Sequence, residues 1–311
     1  MSEQLDTSRL QPFGNLEFIA RQVVEGFIVG LHKSPFHGFS VEFSEHRLYN
    51  PGESIRHIDW KLYGRTERLY VKRYEEETNL RCQIVIDNSS SMYFPVRERL
   101  SADNPNKVIF SIYSAASIMN LLHRQRDAVG LSLFSNDVEL HTQAKSSSVH
   151  YKYILGELEK LLTPVSLQAN KPSMVAESLH NIAENIHKRS MVILFSDMFS
   201  AGYDHAALFD ALQHLKYNKH EVILFHVVDK LHELDFGYDN RPHRFVDMET
   251  GEEIKLQPSQ VRTSYVRAVN DYIETIKMKC GQYRIDFVEA DIKRGFRQVL
   301  FPYLLKREKM L

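Results

Sequence analysis

Apolar and polar positions follow two different rhythms along this chain, and the change falls near residue 80. Before it, Leu16, Ile19, Val23, Phe27 and Leu31 recur at helical spacing and predict an amphipathic helix over 16–31. Phe39, Val41 and Phe43 alternate with Ser40, Glu42 and Ser44, which predicts a half-buried strand. Asn50-Pro51-Gly52-Glu53 predicts a turn, residues 54–63 one or two helical turns around the only tryptophan, Trp60, and residues 69–77 an extended segment. Residues 1–80 therefore read as a small N-terminal α+β module packed on the main domain.

From Cys82 onward strands and helices alternate. Near-continuous apolar runs over 81–87, 128–134, 191–197 and 221–228 predict buried strands, and a further strand is expected over 283–288. Between them, helices are predicted over 107–124, 151–162, 173–188, 204–217 and 261–280, with a loop over 163–172. Val138, Leu140 and Thr142 alternate with Glu139, His141 and Gln143, the pattern of an antiparallel edge strand with one wet face. Residues 243–257 predict a hairpin turning at Glu249-Thr250-Gly251-Glu252. The fold class is thus α/β: a doubly wound, mostly parallel sheet with one antiparallel edge strand. It occupies residues 81–311 and carries a hairpin insertion near 232–260.

Composition narrows the function. A length of 311 residues, 43% hydrophobic and 25% charged, suits one large domain or two modest ones in an ordinary soluble protein. The net charge of −1 argues against an overall nucleic-acid binder. Basic residues do interleave with aromatics over 56–74, but Asp59 and Glu75-Glu76-Glu77 counter them. Arg56, Asp59 and Trp60 instead read as a charge pair and a buried indole, a structural or partner-facing surface. Met1 to Leu10 carries no secretory pattern, and the apolar run Met191 to Phe195 is too short to span a bilayer. Cys82 and Cys280 read as two reduced thiols, which fits a cytoplasmic protein. The 15 histidines show no zinc spacing, and neither a Gly-x-Ser-x-Gly elbow nor a phosphate-binding loop is present.

The candidate chemistry gathers at strand ends. The strand over 81–87 runs into Asp87-Asn88-Ser89-Ser90-Ser91, so one loop carries a carboxylate and two hydroxyls. Those oxygens suit a hard divalent cation such as Mg²⁺. The competing reading is a polar turn in which Asp87 and the serines cap the next helix. In a doubly wound sheet the first strand lies beside the fourth where the winding reverses, and ligands bind there. The fourth strand ends at Asp197, and the loop before the helix at Ser173 should open onto the same rim. Asp87, Ser89, Ser91, Ser173 and Asp197 are therefore expected to form an oxygen cage. Ser173 also reads as a simple helix N-cap after Pro172, and Asp197 as a strand-end turn residue.

Asp87-x-Ser89-x-Ser91, with Ser173 at the usual threonine position and Asp197 at the third-loop aspartate, resembles the metal-ion-dependent adhesion site of von Willebrand factor A-like, Rossmann-type domains. The resemblance implies that Ser89, Ser91 and Ser173 face Mg²⁺ or Mn²⁺, and that Asp87 and Asp197 act directly or through waters. It also implies a partner protein whose carboxylate completes the shell. Gly38 to Phe43, Arg47-x-Tyr49-x-Pro51-Gly52-Glu53, Arg56 to Trp60 and Tyr70 to Glu77 resemble the bacterial family known as domain of unknown function fifty-eight. That resemblance, over roughly residues 15–300, implies work beside a MoxR-type AAA+ ATPase. The expectation is a non-enzymatic, metal-dependent protein-binding module. The alternative is a metal-dependent phosphoryl-transfer enzyme, although a haloacid-dehalogenase-type phosphatase needs a second aspartate where Ser89 stands.

Overall fold

The computed structural model describes residues 16–32, 46–48, 60–72, 80–97, 100–162, 174–199 and 205–308. Two compact units divide the chain, residues 28–79 forming one and residues 1–27 with 80–311 the other. Helix α1 (Leu16–His32) forms where the helical spacing placed it. Its buried stripe over the first three turns runs Leu16, Ala20, Val24 and Phe27, so Ile19 and Val23 flank the contact instead of making it. In the smaller unit, β1 (His46–Leu48) pairs antiparallel with β2 (Tyr70–Lys72). Between them in sequence lies α2 (Trp60–Thr66), closed by the Thr66 hydroxyl donating to the Leu62 carbonyl at 2.9 Å. The strand expected over 39–43, the turn over 50–53 and the loop over 163–172 lie outside the described residues.

The larger unit is a mixed α/β structure on a six-stranded sheet. Its strands are β3 (Arg81–Asp87), β4 (Ala128–Phe134), β5 (Val138–His141), β6 (Met191–Ser196), β7 (Glu221–Val228) and β10 (Asp286–Asp291). They lie in the order β10-β7-β6-β3-β4-β5. All neighbours are parallel except β5, which runs antiparallel to β4 at one edge. The chain steps outward from β3 to β5, then returns to lay β6 on the other side of β3 and steps outward again. The winding therefore reverses between β3 and β6.

Burial on both faces explains the unbroken apolar runs. Val85, Leu194 and Leu224 point into a core shared with α5 (Val175–Asn185), α6 (His205–Tyr217) and α7 (Pro258–Gln282). Ile84, Ile86 and Phe195 are equally buried and alternate with that set, so they face the other way. That side is covered by α3 (Lys107–Arg124), with α4 (Ser148–Leu162) and α8 (Arg297–Glu308) beside it. The hairpin of β8 (His243–Val246) and β9 (Glu253–Leu256) forms as expected. Asp247 Oδ1 accepts the amides of Glu249 and Thr250 at 2.7 and 2.9 Å, and Gly251 supplies the positive φ of 75°.

One expectation needs correction, and one element is additional. The last strand is Asp286–Asp291, three residues later than the apolar signal over 283–288. Arg284 at φ 57° and the Ile285 amide bonding back to Cys280 O at 2.8 Å use those residues to close α7. Helix α8 lies beyond the last element that the sequence pattern predicts, and Pro302 sits inside it. It forms nonetheless, burying Val299, Leu300 and Tyr303 and pairing Arg307 with the buried Asp127. Among the described residues no helix is long and apolar enough to cross a membrane, and both cysteines are free and buried.

The edge of the sheet is fixed by a side chain as much as by its ladder. Gln83 Nε2 donates to Ser132 Oγ at 2.9 Å and to the Thr142 carbonyl at 3.2 Å. Gly130 leaves room for that link, since a Cβ there would overlap Gln83 Oε1 and lie 2.7 Å from Thr142 O. Gly130→Ala is expected to cost about 1–3 kcal/mol, read as a lower urea midpoint at unchanged slope. An unchanged midpoint would mean that the edge accommodates the methyl group freely.

Candidate functional site

The site begins where β3 stops. Asp87 is fully buried, and both of its carboxylate oxygens already accept hydrogen bonds. Oδ1 takes the Ser89 amide at 2.9 Å and Oδ2 the Ser196 hydroxyl at 2.7 Å. The Asn88 amide bonds to Phe134 O at 2.7 Å, extending the β3–β4 ladder one residue into the loop. Ser89 then opens a short 3-10 turn over Ser90–Tyr93 in extended geometry, φ −65° and ψ 162°. Its side chain makes no capping bond; its Oγ lies 3.1 Å from Ser91 Oγ. The long helix after it, α3, is capped by Asn106 Oδ1, which accepts the Ile109 amide at 2.9 Å. The cap reading of the serines is thereby answered: another residue does that work.

Asp197 leaves the neighbouring strand β6 at the same rim. Its Oδ1 accepts the Phe199 amide at 3.1 Å, and its Oδ2 accepts the ammonium of Lys107 at 2.7 Å. Lys107 is 1% exposed and donates also to Glu233 Oε1 at 2.5 Å. Burial alone would lower the Lys107 pKa, but Asp197 and Glu233 outweigh it and hold the amine protonated. Glu233 lies on a π-helical turn over Lys230–Leu234 after β7, where its Oε2 accepts the Asp229 amide at 2.7 Å. Its carboxyl is pushed upward by burial and by Asp197, against the pull of Lys107. His226, opposite Ser196 in the β6–β7 register, is fully buried; burial lowers its pKa to about 4, so the ring is neutral.

The β3–β6 adjacency brings Asp87 and Asp197 to one rim, linked through Ser196, with Ser89 and Ser91 on the loop above. Ser173, Arg56 and Asp59 lie outside the described residues, and Trp60 is the first residue of α2. The Met174 amide bonds to Ser135 O at 3.0 Å, which ties the entry of α5 to the end of β4. Three participants escaped the sequence reading: Lys107, Ser196 and Glu233. Lys107 did leave a signal. It is a cation in the first turn of a helix that has no acidic residue there, against the helix dipole.

The donor set is chemically specific. Among the described residues no three of His, Cys, Asp and Glu form a metal-holding group. The oxygens on offer are two hydroxyls backed by carboxylates. Octahedral Mg²⁺ binds oxygen at 2.0–2.1 Å, so ligands at right angles sit about 3 Å apart. The 3.1 Å Ser89–Ser91 separation meets that requirement, so these residues fit a small hard cation.

The profile of the family described as "Protein of unknown function DUF58" matches residues 45–274. An uncharacterized protein of Mycobacterium bovis is 23% identical over 182 residues, covering 58% of this chain and 55% of that one. An uncharacterized protein of Mycobacterium tuberculosis matches to the same extent, so the chain spans about half the length of these curated relatives. Among solved structures, conserved hypothetical protein BatB from Bacteroides thetaiotaomicron is 14% identical with a TM-score of 0.46, over 74% of this chain and 98% of that one.

Burial first, and Asp197 second, push the Asp87 pKa up from 3.8 to about 7, against hydrogen bonds from Ser89 and Ser196. Between those two values the folded state holds a proton that the unfolded chain has released. The stability that this one group contributes is therefore present below about pH 4 and is lost as pH rises through about 7. Asn at this position has no charge to bury. Asp87→Asn is expected to match the parent near pH 4 and to exceed it at pH 8 by on the order of 2–4 kcal/mol. Chemical denaturation in chelator at both pH values checks this, and a pH-independent difference would refute it.

Proposed function

The chain belongs to the family described as protein of unknown function DUF58, and for it we propose a divalent-cation-dependent protein-binding module with no catalytic activity of its own. The observation that carries this reading is the Ser89–Ser91 hydroxyl pair, 3.1 Å apart and free of capping duty, set beside the buried carboxylates of two adjacent strands. In this reading Ser89 and Ser91 hold Mg²⁺ or Mn²⁺, and Asp87 and Asp197 supply the compensating charge. Ser173 is their proposed companion from the loop before α5. The ion supplies an electrophilic position for a carboxylate brought by another protein.

The strand order and the loop spacing together support a von Willebrand factor A-like assignment for the larger unit. The motif resemblance over 38–77 points to a MoxR-type AAA+ ATPase as the partner. The position two after Asp87 is Ser89, where a haloacid-dehalogenase-type phosphatase needs a second aspartate, and the imidazole of His226 is sealed in the core.

Calorimetric titration of the full chain with Mn²⁺ tests the reading. The parent is expected to bind saturably, while Asp87→Asn and Ser89→Ala lose at least about tenfold in affinity, each 1.4 kcal/mol of lost interaction being a factor of ten. Because Asp87→Asn is expected to be the more stable protein, its loss of binding separates function from folding. Equal binding by parent and variants would end the assignment. Docking of the ATPase that persists in EDTA would end the partner claim.

A further inference from the structure

Lys107 is placed where a lysine is least expected. It opens α3, where the helix dipole disfavours a cation, and it is 1% exposed, where an ammonium loses its hydration. Two carboxylates from different strand ends compensate it: Asp197 at 2.7 Å from beyond β6, and Glu233 at 2.5 Å from beyond β7. One of these, Asp197, is also a member of the candidate cation site. The other is held on its far oxygen by the Asp229 amide at 2.7 Å.

Resting on the metal-binding reading above, we infer that Lys107 sets the cation affinity of this site, as a tethered ammonium that competes with the divalent ion for Asp197. Glu233 is the second acceptor that lets it yield. When an ion takes Asp197, Lys107 keeps Glu233, so the buried ammonium is never left without a counter-charge. When no ion is present, Lys107 neutralises Asp197 and the rim stays folded. The ion's apparent affinity is then its intrinsic affinity scaled by the fraction of molecules in which Lys107 has left Asp197. Glu233 raises that fraction, and Lys107 without Glu233 would lower it. The two residues therefore act in opposite directions on the same equilibrium, which a purely structural ion pair would not do.

The test is a double-mutant cycle read by Mn²⁺ calorimetry on the full chain. Lys107→Met is expected to tighten Mn²⁺ binding at least about tenfold, or to reveal binding that the parent shows only weakly. Glu233→Gln is expected to weaken it several-fold, and that effect should vanish in the Lys107→Met background. Parental or weaker binding by a folded Lys107→Met, or an effect of Glu233→Gln that survives without Lys107, overturns the inference and leaves the metal site standing. If Lys107→Met does not fold, as judged by near-ultraviolet circular dichroism, Glu233→Gln decides alone: unchanged affinity overturns the inference. Saturable binding in none of the four proteins overturns the metal reading itself, and the inference with it.

Discussion

The Lys107 ammonium, shared between Asp197 and Glu233, is the contact on which the carboxyl rim of this sheet depends. Parallel topology aligns strand ends, and here four adjacent strands reach that rim with an aspartate: Asp87, Asp197, Asp229 and Asp291. Like charges gathered in a dry environment destabilise one another unless each is answered. The answers differ. Asp87 has only neutral donors, an amide and a hydroxyl, and its pKa rises to about 7. Asp229, equally buried, lies 2.9 Å from His232 and 3.2 Å from Lys293; burial raises its pKa, but those two partners outweigh it and hold it low. Asp291 binds the Lys293 amide at 3.1 Å and faces Arg294 at 3.9 Å. Asp197 alone is answered by a cation buried beside it.

Much of this was legible in the sequence, for a physical reason. Strands buried on both faces must be apolar throughout, so β3, β4, β6 and β7 announced themselves, and the residues that end them could be read as rim residues. The reversal of winding then predicted that Asp87 and Asp197 would meet, and the β3–β6 register brings them to one rim. What could not be read was any partner whose role depends on side-chain reach. In the sequence Lys107 looks like the polar start of a helix with one apolar face; in the structure residues 107–122 are all buried, and its four-carbon stem carries the charge inward to the sheet. Ser196 looked like one more strand residue, yet its hydroxyl holds Asp87. Glu233 sits on a turn with no apolar periodicity to place it. The misplacement of β10 has the same origin: Tyr283 and Ile285 carry a strand-like pattern, but closure of α7 claims them first.

The charge arrangement also bears on whether the rim is merely structural. A core needs no ion trio here, since well-packed apolar residues of similar volume usually serve stability as well or better. Nor does a turn need an acid at position 87, where the neutral amide of asparagine could meet Ser89 and Ser196 without burying charge. Both choices cost stability in the cation-free protein, and such costs concentrate where an external ligand changes the balance. A divalent ion beside Asp87 would favour its charged form and release the proton it holds, which turns the destabilised carboxylate into binding free energy. The same ion would oppose Lys107 at Asp197 by direct repulsion. One charge change then acts on two buried carboxylates in opposite ways, ionising the first and freeing the second from its ammonium. In the proposed role, Lys107 and the ion are alternative answers to the same excess of negative charge.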